Sequence, residues 1–81
     1  MDEIITINKQ STREEIIDIL VNLFSPYAAE LLNSGGDFSY MNMYADNFSG
    51  QLQKQTDLSD EAIFEILNEA CDLSWKRQSN G

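Results

Sequence analysis

Ile16, Ile17, Ile19, Leu20, Leu23 and Phe24 recur at the three- and four-residue spacing that lines one side of an α-helix, while Glu14, Asp18 and Asn22, with Glu15 beside them, fall on the other side. The pattern predicts an amphipathic helix over residues 12–24. Its start is written locally: Ser11-Thr12-Arg13-Glu14 and the overlapping Thr12-Arg13-Glu14-Glu15 both fit a capping box, and acids in the first turn suit the helix dipole. Ser25-Pro26 predicts an interruption, because proline disfavours helical geometry at the residue before it yet is well placed as the first residue of a new helix. A short second helix over 26–34, through Tyr27, Ala28, Ala29, Leu31 and Leu32, should then end at Gly35-Gly36.

Tyr40, Tyr44, Phe48 and Leu52 repeat every four residues, with Met41 and Ala45 widening the stripe, and predict a third helix over 40–55. Gly50 is expected to weaken its middle by about 1 kcal/mol relative to alanine. A base-stacking platform would need basic neighbours, and only Lys54 is at hand, so core packing is the expected role of the aromatic row. The last helix, 59–78, has Ser59 as N-cap, Asp60 and Glu61 in its first turn and Leu58 placed to staple against Ile63. Ile63, Ile66, Leu67, Ala70, Cys71 and Ser74 make its inward face. Phe64, Leu73 and Trp75 broaden that face beyond what one neighbouring helix would cover, and Lys76 and Arg77 suit the C-terminal dipole.

Ahead of the helices, Glu3-Ile4-Ile5-Thr6-Ile7-Asn8 is rich in β-branched residues, but no second strand signal exists for it to pair with. Residues 1–10 are therefore read as an extended arm over the helices, the alternative being a strand added to a partner's sheet. The expectation is an all-α fold: residues 1–81 as a small single-domain bundle of three to four helices with an extended N-terminal arm.

Composition agrees with a folded chain, since 42% of the 81 residues are hydrophobic and no linker or low-complexity tract divides them. A domain of this size hides only about 60% of the surface its unfolded chain exposes, so a covered or self-associating face would help stabilise it. No apolar run approaches the roughly 20 residues that span a bilayer, and the acidic start lacks the order of a secretion signal, which places the expected location in the cytoplasm with no membrane partner.

Charge and residue types then narrow the chemistry. The single cysteine, Cys71, cannot form an internal disulfide, and the absence of histidine removes Cys-His pairs and the usual zinc ligand sets. Cys71 lies among apolar neighbours, with Glu69 and Asp72 near enough to raise its pKa, and is read as a small core residue. Phosphate-loop, dinucleotide and calcium-loop spacings are missing, and nothing pairs two carboxylates for catalysis. The chain is expected not to be an enzyme and to need no cofactor or metal.

Fourteen Asp and Glu against five Lys and Arg leave a net charge of −9. Glu61, Glu65, Asn68, Glu69 and Asp72 fall on one exposed stripe of the last helix, where like charges four residues apart destabilise it by a few tenths of a kcal/mol per pair. Such a local cost, with no internal counter-ion in view, suggests contact with a basic protein surface; solubility alone is the other reading. Five scattered basic residues make direct nucleic-acid binding unexpected.

Asp18 to Phe24 leading into Ser25-Pro26-Tyr27-Ala28-Ala29-Glu30-Leu31-Leu32, then Gly36-Asp37-Phe38, give an order of helix, Pro-Tyr break, short helix and Gly-Asp turn. Over residues 12–40 this order resembles the phage-type acidic anti-restriction proteins, which are helical DNA mimics. The resemblance implies a small inhibitor of a host nucleic-acid enzyme, with acidic helix faces as its binding surface, and assigns no role residue by residue.

The functional expectation is thus a small acidic inhibitor that occupies a basic surface of a nucleic-acid-processing or defence protein, with Glu14, Asp18, Glu61, Glu65, Glu69 and Asp72 as candidate contacts. The alternative is a non-enzymatic helical homodimer, immunity-type or adaptor module acting through apolar packing around Phe64, Leu73 and Trp75.

Overall fold

Thr12 opens the first helix as the capping pattern requires: its hydroxyl accepts the Glu15 N–H at 3.1 Å while its own N–H donates to the Glu15 carboxylate at 3.0 Å. The computed structural model describes residues 12–80, which form α1 (Arg13–Ser34), α2 (Ser39–Asp46), α3 (Ser49–Gln55) and α4 (Asp60–Asn80). The protein is a small all-α domain, and no strand occurs among the described residues. The arm expected at 1–10 lies outside them.

The reciprocal cap carries a pH dependence. The Thr12 backbone N–H, then its hydroxyl, hold the Glu15 carboxyl below the ordinary glutamate range. A carboxylate with a lowered folded-state pKa contributes stability that is present above the ordinary range and lost as pH falls through the folded value. Glu15→Gln is therefore expected to flatten the acid limb of a stability–pH curve followed by urea unfolding. Thr12→Ala should cost about 1 kcal/mol at neutral pH, and an acid limb identical in wild type and Glu15→Gln would contradict this account.

Two expected boundaries move. Residues 13–34 form one helix with Pro26 inside it, where a break into 12–24 and 26–34 was expected. Proline cannot give its N–H to Asn22 and costs about 3 kcal/mol in a helix interior. Continuity wins because Phe24 and Ala28, on either side of the proline, are both fully buried, and Tyr27 and Leu31 pack against the same core. Burying a large apolar side chain contributes about 1.5–3 kcal/mol, so a few of them outweigh the local penalty. Ser25 stays helical and buried, its hydroxyl donating to the Val21 carbonyl at 2.6 Å.

The expected helix 40–55 is in turn two helices, broken at Asn47-Phe48 rather than weakened at Gly50. Asn47 and Phe48 donate to the carbonyls of Tyr44 and Ala45, three residues back, and the Ser49 hydroxyl takes up the Asp46 carbonyl at 2.9 Å. Asn47, Ser49 and Gly50 are weak helix formers, so the turn costs little there. It also lets both halves serve one core: Met41, Phe48 and Leu52 are all buried.

Helix ends elsewhere follow the sequence. Gly35 caps α1 in the left-handed region at φ 77°, and the Gly36 N–H donates to the Leu31 carbonyl at 2.6 Å. A Cβ on Gly36 would stand 2.5 Å from Leu31 Cδ2 and 3.3 Å from the Leu31 carbonyl oxygen, so a larger residue there would have to push the Leu31 side chain aside. Ser59 caps α4 by accepting the Ala62 N–H at 3.2 Å.

Side-chain contacts give the helix directions. Arg13 reaches Glu69 and Arg77 reaches Asn22, so α1 and α4 run parallel, side by side. Phe38 packs on Trp75 and Gln53 meets Asp60, so α2 and α3 together form the returning leg, antiparallel to α4. Phe24 sits at the centre, its ring 5.5 Å from Tyr44 and 5.6 Å from Phe48, while Tyr27 stacks on Tyr44 at 4.3 Å. The aromatic row is core, as its spacing suggested, although Tyr40 at its start is half exposed.

Candidate functional site

Helix α4 buries Ile63, Ile66, Leu67, Ala70, Cys71 and Ser74, and the same periodicity that turns these inward turns Glu61, Glu65, Asn68 and Asp72 outward. Phe64 belongs to this outer face: at about 100° per residue it lies one turn from both Glu61 and Asn68. Phe64 is 61% exposed, a large apolar side chain left in water beside these carboxylates. Beside it a recess of about 250 Å³ opens between α2 and α4, lined by Asn42, Ala45, Asp46, Leu67 and Asn68 as well as Phe64.

The six candidate acids do not form one surface. Glu69 turns toward α1 and pairs with Arg13 at 2.6 Å, and Asp72 pairs with Lys76 at 3.3 Å, so the stripe does contain internal counter-ions at these two positions. Both pairs are substantially exposed and contribute at most about 1 kcal/mol each. Among the described residues, Glu61 and Glu65 take part in no ion pair. The outward acids of the upper α4 stripe are therefore these two, with Asp46 across the recess.

Glu14 and Asp18 lie elsewhere, in a groove of about 620 Å³ between α1 and α4 whose floor is Ile17, Val21 and Leu73. Arg13 and Glu69 stand at one end of it, Lys76 and Arg77 at the other. Arg77 donates to the Asn22 side-chain oxygen at 3.4 Å. Three of the chain's five Lys and Arg thus gather in one groove, which their scatter along the sequence did not suggest. Only the parallel alignment of α1 with α4 brings residues 13 and 69, or 22 and 77, together.

The broad apolar side of α4 also divides. Trp75 packs edge-on to Phe38 at 5.4 Å and is partly buried against the core. Phe64 and Leu73 are nine positions apart, about half a turn around the helix, and stand on opposite flanks. Met43, 66% exposed on α2, is a further apolar side chain in water; it falls off the Tyr40-Tyr44-Phe48-Leu52 row, which was the available signal for it. Asp46, one turn beyond Asn42, gains meaning only from its place across from Phe64.

Chemically the interior is quiet. Cys71 is fully buried, its thiol donating to the Met41 carbonyl at 3.5 Å, and its pKa is pushed up to about 11 by desolvation, then by the charges of Asp46 and Asp72. Asp46 stands where the sequence suggested Glu69. The buried hydroxyls of Ser25, Thr56 and Ser74 each donate to a backbone carbonyl, and among the described residues no buried side-chain polar atom lacks a partner. Nor does any group of three Cys, Asp or Glu side chains there approach metal-binding geometry, and no helix is long and apolar enough to cross a membrane.

Fold and surface together define a small acidic all-α domain whose distinctive features are on its outside. Compared with known proteins, the chain matches no family model, no curated protein and no solved structure.

Proposed function

We propose that this chain is a non-enzymatic binding protein of inhibitor type, which occupies a basic surface on a protein that handles nucleic acid, using the outer face of α4. The observation that carries the reading is Phe64, an aromatic ring 61% exposed on the same helix face as Glu61 and Glu65. A surface built for nucleic acid offers Lys and Arg, whose heads meet carboxylates and whose stems and guanidinium planes cover an aromatic ring. Charge steers the encounter, and the buried aromatic holds the complex. The resemblance of residues 12–40 to acidic anti-restriction proteins belongs with this reading. Glu14, Asp18, Glu69 and Asp72, candidates by sequence, fall outside this contact because they face the groove or a cation of their own chain.

The test uses capture from extract followed by titration of the purified partner. Binding should weaken as salt rises from about 0.05 M to about 0.5 M, as exposed charge contacts do. Glu61→Lys combined with Glu65→Lys should lower affinity at least about tenfold, and Phe64→Ala by a similar factor, with the fold retained by circular dichroism. A partner indifferent to all three changes would remove this face from the mechanism.

A further inference from the structure

We infer that the groove between α1 and α4 is the contact face of a two-fold symmetric dimer of this chain. The first reason is charge. The groove holds Arg13, Lys76 and Arg77 against Glu14, Asp18 and Glu69, so it is neutral, and the whole excess of −9 lies elsewhere on the chain. A second copy approaching most other parts of the molecule meets like charge; here it does not.

The second reason is the order of those charges. Because α1 and α4 run parallel, Glu14 and Asp18 lie toward the end marked by the Arg13–Glu69 pair, and Lys76 and Arg77 lie at the other end. Among the described residues Glu14 and Asp18 have no cation partner, Arg77 reaches only a neutral amide oxygen, and Lys76 meets Asp72 in an exposed pair that a second carboxylate can share. A two-fold axis crossing the helices near Leu73 reverses the order in the second copy. It sets Glu14 and Asp18 of each copy against Lys76 and Arg77 of the other, the reciprocal pairing that an isologous contact requires. Leu73, 42% exposed at the centre, is then covered by its own counterpart, with the edges of Ile17 and Val21 around it.

The size sets the strength. With Arg13 beside Glu69 and Asn22 beside Arg77, α1 and α4 lie side by side over about 12 residues, a face about 18 Å long and about 20 Å wide, roughly 360 Å² in projection; this is under half the ~800 Å² per partner of a stable interface, so the dimer is expected to be weak. This dimer leaves Phe64 free, since it stands on the opposite flank of α4, so each dimer would display two copies of the proposed binding face.

Sedimentation velocity of the full chain from about 1 µM to about 1 mM, in about 0.15 M salt, tests the inference. The wild type should show a monomer–dimer equilibrium. Glu14→Lys with Asp18→Lys, and separately Lys76→Glu with Arg77→Glu, should each raise the dissociation constant at least about tenfold. An equimolar mixture of the two variants should associate again, as a heterodimer in which one set of facing charges is swapped and the other is the native one. Each variant keeps a net negative charge, having moved the chain's −9 by only four units, so bulk attraction cannot explain recovery. Glu61→Lys with Glu65→Lys should leave the equilibrium unchanged, which separates this face from the partner-binding one. A wild type that stays monomeric throughout, or a mixture no more associated than its two components, overturns the dimer.

Discussion

Phe24→Ala is expected to unfold most of the protein at 25 °C, seen as loss of helical circular dichroism without denaturant. Phe24 has no exposed surface and touches the aromatic rings of both α2 and the α2–α3 turn, so one truncation empties the point where the outgoing and returning legs meet. Removing a buried phenylalanine costs about 3–5 kcal/mol, as lost transfer energy plus a cavity. A single core in a chain of this length supplies total stability of similar size, about 3–5 kcal/mol. Phe64→Ala is the matched control: the same atoms leave an exposed site, and stability should stay within about 0.5 kcal/mol. If Phe24→Ala cost under about 1 kcal/mol, the described core would be wrong.

The second large effect has the opposite sign. Pro26→Ala should stabilise the protein by about 2–2.5 kcal/mol, raising Tm by roughly 8–20 °C for a domain of this size. In the interior of a continuous α1, proline leaves the Asn22 carbonyl without its helical N–H and crowds the preceding turn, a penalty of about 3 kcal/mol that alanine removes. Part of the gain is returned, because alanine frees the unfolded chain by about 0.4–1 kcal/mol. Were Pro26 instead the first residue of a separate helix, its ring would favour that geometry and alanine would destabilise. The sign of the shift in a thermal melt therefore distinguishes one helix from two.

These two positions also show where sequence reasoning reached its limit. The capping box at Thr12, the glycine ends at Gly35 and Gly36 and the Ser59 cap are local signals, each satisfied by side-chain or backbone groups within a few residues, and each is found where it was expected. Ser25-Pro26 is an equally strong local signal for a break, and it lost. What outweighed it was the burial of Phe24 and Ala28 against residues about 20 positions away, which no window around the proline contains. The turn at Asn47-Phe48 was hidden for the converse reason: four-residue spacing continues through it, because both halves face the same core.

The candidate site divides in the same way. Residue types and periodicity alone determined an acidic, helical chain with a solitary buried cysteine, and put Glu61 and Glu65 on the outside of the last helix. Which acids share a surface was decided by the tertiary structure. The parallel pairing of α1 with α4 gave Glu69 a cation from the other helix and gathered Arg13, Lys76 and Arg77 beside Glu14 and Asp18. Phe64 and Leu73 stand on opposite flanks by helical period alone; the tertiary structure decided what lies beside each, the α2 recess for Phe64 and the α1 groove for Leu73. The physical reason is range: capping and helical period act within a turn or two of one helix, whereas charge pairing and apolar cover depend on which helices lie side by side and in which direction they run.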